Sequence, residues 1–163
     1  MIEAVIFDLD GTLVHLPIDY ERLIQEFGKV AHAESFHPLL DAVSKLDEAT
    51  RGQVFKIWDL AELAAAPRIT VNQEGVSLYE FFAKKPKALV TMQGKALVTA
   101  ILEKLGLTFD VVLTREDSLN RAEQLKIASQ KLSVKLENLL FVGNSENDAV
   151  AAKQVMCRFQ RMK

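Results

Sequence analysis

The residues best suited to chemistry lie near the start of the chain, where Asp8 and Asp10 are followed by Gly11 and Thr12. The preceding residues 3–7 are mostly apolar, which is typical of a buried strand in a parallel sheet. Ligands of such sheets bind beyond the carboxyl ends of the strands. Because side chains alternate along a strand, both carboxylates are predicted to point the same way, into a site.

Two neighbouring carboxylates repel each other unless a cation lies between them or one keeps its proton. Oxygen ligands of this kind suit Mg²⁺, and an aspartate can also act as a nucleophile beside a second acid. A turn that merely ends a strand, with Asp10 and Gly11 as turn residues, is the simpler interpretation. The complete pattern, a strand followed by D-x-D-G-T, favours the chemical interpretation.

This stretch resembles the first signature motif of the haloacid dehalogenase (HAD) superfamily. The resemblance implies a Mg²⁺-dependent phosphatase in which Asp8 is the nucleophile that forms an aspartyl-phosphate and Asp10 is the general acid/base. The dehalogenase branch of the family lacks the second aspartate, so dehalogenation is not expected. The implied substrate is a small phosphorylated metabolite.

A second predicted strand, residues 88–91, ends in Thr91 and leads through Met92 and Gln93 into a helix. A hydroxyl beside the free N–H groups of a helix N-terminus forms a corner that suits phosphate. This arrangement resembles the second HAD motif. The predicted substrate-binding residues are Thr91, Met92, Gln93, Gly11 and Thr12.

The third HAD motif is a basic residue, usually Lys, that precedes the helix after the third strand and neutralises charge in the site. Arg121 stands at the fitting place, and Arg115 is the competing candidate. The segment resembles the phosphoglycolate-phosphatase-like branch, although its usual Lys-Pro pair is absent. Arginine keeps the charge with a different reach and geometry. The choice between the two arginines stays open at this point.

The fourth HAD motif normally reads Gly-Asp with a second Asp three or four residues later. In this chain Gly143 and Asp148 match, and Asn144 replaces the first acid. An asparagine oxygen can hold water or touch Mg²⁺ but brings no charge, so a weakened metal site is predicted. The predicted metal ligands are Asp8, Asp10, Asp148 and Asn144.

The remaining pattern alternates strands and helices, with further strands predicted at residues 111–113, 139–142 and 155–160. Such alternation predicts an α/β fold with a Rossmann-like, doubly wound parallel sheet of about five strands. Residues 14–83 contain helical patterns and no convincing strand. We therefore expect a HAD core formed by residues 1–14 and 75–163, with residues 15–74 inserted as a small helical cap.

The composition predicts a protein that works without nucleic acid or membrane. The 163 residues are 49% apolar, the net charge of −2 offers no basic surface, and no apolar run approaches a membrane span. The single cysteine, Cys157, excludes an internal disulfide, and the N-terminus does not resemble a secretory signal. We expect a cytoplasmic monomer or homodimer.

Two alternatives to the phosphatase remain open at this stage. The change to Asn144 is compatible with a HAD-fold protein that has lost turnover and serves in binding or regulation. The same nucleophile could also serve a phosphotransferase such as a phosphomutase.

Overall fold

The computed structural model describes residues 1–163 and contains seven strands and seven α-helices. The strands are β1 (Ala4–Phe7), β2 (Val14–His15), β3 (Thr70–Val71), β4 (Lys87–Val90), β5 (Val111–Leu113), β6 (Leu139–Gly143) and β7 (Arg158–Arg161). The helices are α1 (Tyr20–Ala31), α2 (Leu39–Ser44), α3 (Glu48–Ala65), α4 (Gln73–Phe81), α5 (Lys95–Leu105), α6 (Arg121–Leu132) and α7 (Glu146–Gln154).

Five strands form one parallel sheet in the order β5-β4-β1-β6-β7, so β1 lies at its centre. Val5 and Phe7 pack on one face with α4 and α5, whereas Ala4 and Ile6 pack on the other with α6 and α7. Burial on both faces is the reason why β1 is apolar without alternation. The predicted doubly wound α/β fold is confirmed, and the ends of β1, β4 and β6 meet at one edge.

Helices α1 to α3 lie between β2 and β3 and enclose an apolar cluster of their own, which includes Phe27 and Trp58. Side chains cap two of these helices, since Asp19 accepts from the Arg22 N–H and Asp47 from the Thr50 N–H. We call residues 20–65 the helical segment.

The expectation that residues 14–83 contain no strand was wrong. Strands β2 and β3 pair in antiparallel fashion, with Val14 opposite Val71 and His15 opposite Thr70. Each has two residues, which is too short for an alternating pattern to be visible in the sequence. This small ribbon joins both ends of the helical segment to the core.

Helix α7 begins at Glu146, shortly after β6 ends. Ser145 and Asp148 form a capping box there, in which each side chain accepts from the other's backbone N–H. Strand β7 covers Arg158–Arg161 instead of 155–160. No helix combines the length and the apolar character that crossing a membrane would require.

Candidate active site

Asp8 follows β1 directly and is 5% exposed. Its Oδ1 lies 3.2 Å from Nη2 of Arg121, which enters from the first turn of α6. Burial raises the pKa of Asp8 to about 7, Arg121 acts in the opposite direction, and the nearby Asp148 carboxylate raises it further. With Arg121 beside it, the carboxylate at the end of the central strand therefore changes its protonation near neutral pH unless a metal ion is also bound.

Asp10 is held in a tight turn. Its Oδ1 accepts a hydrogen bond of 2.9 Å from the Leu16 N–H, and the Gly11 N–H donates to the Val14 carbonyl at 2.7 Å. Gly11 has a φ of +81°, which disfavours any side chain there. Burial raises the pKa of Asp10, against the lowering effect of the Leu16 hydrogen bond. The carboxyl group is thus oriented and biased toward holding a proton.

Arg121 links three side chains from different parts of the chain. In addition to Asp8, its Nε lies 3.0 Å from Asp148 Oδ1, and its Nη1 donates to Gln124 Oε1 at 2.7 Å. The guanidinium lies between the two carboxylates and partly balances their charge.

Arg115, the competing candidate, does not contact Asp8. It is buried and pairs with two acids of α3, through Nη1 to Glu62 Oε1 at 2.8 Å and through Nη2 to Asp59. Its guanidinium stacks over Trp58, 4.3 Å from the ring centre. The structure therefore brings Arg121 to the carboxylates and uses Arg115 to attach the helical segment to the core.

Glu62 completes this attachment and was missed by the sequence analysis. Besides Arg115, its Oε1 accepts from the Gly94 N–H at 3.0 Å, at the start of α5. Burial raises the pKa of Glu62 to about 7, although Arg115 lowers it. A signal was present, because Glu62 is four residues after Trp58 on the apolar stripe of α3, where an acid needs a buried partner.

Thr91 and Gln93 lie together behind the carboxyl end of β4. The Thr91 hydroxyl donates to Gln93 Oε1 at 2.5 Å and accepts from the Gln93 N–H at 3.2 Å. Nε2 of Gln93 donates to the Tyr20 hydroxyl at 3.1 Å, a contact that the sequence did not reveal. Met92 contributes a carbonyl to Arg115 at 3.3 Å. Thr12 is buried, and its hydroxyl has no hydrogen-bond partner.

Asn144 places one end of its side-chain amide 3.3 Å from both Asp8 Oδ2 and the backbone carbonyl oxygen of Asp10. If the amide nitrogen is at this end, it donates to both oxygens. If Oδ1 is there, three oxygens converge, and either a cation or a proton on Asp8 has to lie between them. This oxygen set fits Mg²⁺, with one charged and two neutral donors. Gly11 is needed beside it, because a Cβ at Gly11 would overlap the Asn144 amide.

Asp148 is engaged elsewhere. Its Oδ1 pairs with Arg121, and its Oδ2 accepts from the backbone N–H groups of Asn144 and Ser145, both at 3.2 Å. No three acidic, histidine or cysteine side chains lie close enough together to hold a metal ion. The predicted four-residue metal set is thus divided, with Asp8, Asp10 and Asn144 in one oxygen group and Asp148 on the other side of Arg121.

A family model described as haloacid dehalogenase-like hydrolase matches residues 2–155. This chain belongs to that family. The predicted HAD membership is confirmed.

Similar proteins agree with this assignment. A phosphoglycolate phosphatase of Neisseria meningitidis is 27% identical to this chain over an alignment of 185 positions. The alignment covers 96% of this chain and 78% of that protein. A HAD-like family protein of Streptococcus pneumoniae has a TM-score of 0.72 at 18% identity, covering 99% of this chain and 85% of its own.

A HAD family enzyme of Bacteroides thetaiotaomicron, solved with magnesium and inorganic phosphate, has a TM-score of 0.63 at 16% identity. The match covers 100% of this chain and 95% of that one. At these identities, the two solved structures establish the shared fold.

Proposed function

We propose that this HAD-like hydrolase is a phosphatase that removes phosphate from a small phosphorylated metabolite through an aspartyl-phosphate on Asp8. The observation that carries the proposal is the Asp8 carboxylate at the end of the central strand, paired through one oxygen with Arg121. Its other oxygen, Oδ2, faces Asn144. The curated relatives named phosphoglycolate phosphatase make phosphoglycolate the first substrate to examine.

In this mechanism, Asp8 attacks the phosphorus in line and the bond to the leaving oxygen breaks. Asp10, whose pKa is raised by burial, gives its proton to that oxygen and then takes one from the water that hydrolyses the aspartyl-phosphate. Arg121 stabilises the ionised form of Asp8 in the free enzyme. The Thr91 hydroxyl binds a phosphoryl oxygen. The N–H groups of Gly94 and Lys95 at the start of α5 already donate to Glu62 and Glu116, so they are not assigned to phosphate.

Mg²⁺ would be held by Asp8, the Asp10 carbonyl and Asn144, and would supply positive charge to the phosphoryl oxygens. Asp148 acts indirectly in this scheme, because it orients Arg121 and the backbone of Asn144. The metal site is thus formed with fewer charges than a site with aspartate at position 144.

We also propose residues 15–74 as a cap over a core formed by residues 1–14 and 75–163. The support is the separate apolar cluster of α1 to α3 and the narrow β2–β3 ribbon that joins them to the core. The attachment of α3 through Arg115 holds this cap near the catalytic loops, where it limits the access of water.

The test is hydrolysis of 4-nitrophenyl phosphate and of phosphoglycolate, each with Mg²⁺ and with EDTA. We expect turnover that depends on Mg²⁺. If the protein binds phosphate but hydrolyses neither substrate, the binding role suggested by Asn144 replaces the phosphatase. If a phosphorylated acceptor forms in competition with inorganic phosphate, the protein is a phosphotransferase.

Asn144→Asp is expected to strengthen Mg²⁺ binding about tenfold or more, because a full charge is added near the cation. In EDTA the same variant should be less stable than wild type, since the new carboxylate faces Asp8 Oδ2 and the Asp10 carbonyl. Calorimetric titration with Mg²⁺ and thermal unfolding measure the two effects.

The matched control is Asn147→Asp, the same change at an exposed position of α7. It should alter neither Mg²⁺ affinity nor metal-free stability appreciably. Equal behaviour of the two variants would argue against a cation beside Asn144.

A further inference from the structure

The Thr91 hydroxyl has one hydrogen, and the structure shows it already used. It donates to Gln93 Oε1 at 2.5 Å, while the oxygen accepts from the Gln93 N–H. Thr91 is fully buried. In this arrangement the hydroxyl has no hydrogen left for a phosphate oxygen, so phosphate binding requires a rearrangement of its partner.

Gln93, the hydrogen-bond partner of Thr91, also contacts the helical segment. Nε2 of Gln93 donates to the hydroxyl of Tyr20, the first residue of α1, at 3.1 Å. Tyr20 accepts this hydrogen bond, and no protein group accepts the hydrogen of its own hydroxyl. Gln93 is 5% exposed, and water therefore has little access to the bonds on either side of it.

A glutamine amide has a donor at one end and an acceptor at the other. A half-turn about its last side-chain bond therefore reverses the direction of both hydrogen bonds, the one to Thr91 and the one to Tyr20. After this turn, Tyr20 donates to Gln93 Oε1 and Gln93 Nε2 donates to the Thr91 oxygen. The Thr91 hydrogen is then free to point at the ligand. In this arrangement the Tyr20 and Thr91 hydrogens both have acceptors, whereas the second Nε2 hydrogen of Gln93 has none in either arrangement.

We propose that Tyr20 is a positioning residue for phosphate, which supplies the hydrogen that lets Gln93 turn and the Thr91 hydroxyl donate to the phosphoryl group. The proposal rests on the proposed function insofar as that function assigns phosphate to Thr91. It makes one residue of the cap part of the phosphate site without direct contact with the ligand.

Counting unpaired groups gives the expected effect. The second Gln93 Nε2 hydrogen is unpaired in every state and cancels; apart from it, the free wild-type protein leaves the Tyr20 hydrogen without a protein acceptor and the phosphate complex pairs it. In Tyr20→Phe, the free protein leaves Gln93 Nε2 unpaired and the complex leaves Gln93 Oε1 unpaired. The variant therefore keeps about the stability of the wild type but loses about tenfold in phosphate affinity, the effect of one buried hydrogen bond.

The Tyr20 phenol remains a donor at neutral pH. Burial raises its pKa above the ordinary value, and the Asp10 and Glu62 carboxylates raise it further, whereas Gln93 and Arg115 act in the opposite direction. The phenol is thus protonated throughout the range in which the enzyme would be assayed.

The experiment measures inorganic phosphate binding to the Mg²⁺-loaded protein by calorimetry, and as competitive inhibition where turnover allows. Tyr79→Phe is the matched control, because Tyr79 is the other tyrosine of the chain and its hydroxyl donates to the Thr108 carbonyl at 2.7 Å, away from Gln93. We expect a loss of about tenfold for Tyr20→Phe and none for Tyr79→Phe.

A double-mutant cycle with Thr91→Val tests whether Tyr20 acts through Thr91. Without the hydroxyl, Tyr20→Phe should cause no further loss of phosphate affinity. An equal loss in both backgrounds, or no loss in the wild-type background, overturns the inference. Absence of phosphate binding by the wild type overturns the proposed function instead, so the two failures are distinguishable.

Discussion

Asp8→Asn is expected to lower phosphatase turnover by about 10³-fold or more, because an amide cannot attack phosphorus as a carboxylate does. The fold should be retained. Asparagine has nearly the same volume, keeps an oxygen for Arg121 Nη2, and removes a carboxylate whose burial raises its pKa to about 7. Hydrolysis of 4-nitrophenyl phosphate and thermal unfolding, both with Mg²⁺, measure the two properties.

Asp41→Asn provides the control for this change. Asp41 lies in α2 and pairs with Lys45 at 2.9 Å, with both side chains exposed. It should retain full turnover. If Asp8→Asn keeps its turnover, the reaction has another nucleophile. This conclusion holds whether or not the remaining turnover depends on Mg²⁺.

Arg121→Met is expected to destabilise the protein by about 3 kcal/mol and to reduce turnover strongly. The arginine pairs with Asp8 and Asp148, whose side chains are 7% and 3% exposed, and its loss leaves both carboxylates without their cation. Denaturant unfolding in EDTA at neutral pH measures the stability. Because Arg121 lowers the pKa of Asp8, its loss raises that pKa above 7. The Asp8 part of the deficit should therefore be complete only at alkaline pH and should shrink as the pH falls toward about 7, so the unfolding is measured at alkaline pH as well.

Arg161→Met is the matched control, because Arg161 forms an ion pair of 2.7 Å with Glu146 at side chains that are 50% and 77% exposed. Exposed pairs contribute little, so this variant should lie within about 1 kcal/mol of wild type. Arg121→Lys should recover part of the stability, since an ammonium group reaches one carboxylate well but cannot span two. Equal losses in Arg121→Met and Arg161→Met would contradict a special role for Arg121.

The sequence by itself determined the features that depend on neighbouring residues. Residues 4–7 had to form a buried strand because they are apolar without alternation, and the acids that follow had to lie at its carboxyl end. Asp19 and Asp47 cap α1 and α3 through an equally local rule, because a short acidic side chain can satisfy free N–H groups. These local rules were sufficient for the fold class and for the position of the D-x-D-G-T loop.

The tertiary structure alone decided which distant residues meet. Arg121 and Asp8 are 113 positions apart in the sequence. Only the packing of α6 against the sheet distinguishes Arg121 from Arg115, which forms its ion pair with Glu62 of α3 instead. The contact between Tyr20 and Gln93 spans 73 positions and depends on how the helical segment is placed on the core. Contacts of this kind produce no periodic pattern in the sequence, because they depend on the distance between two elements after these have packed.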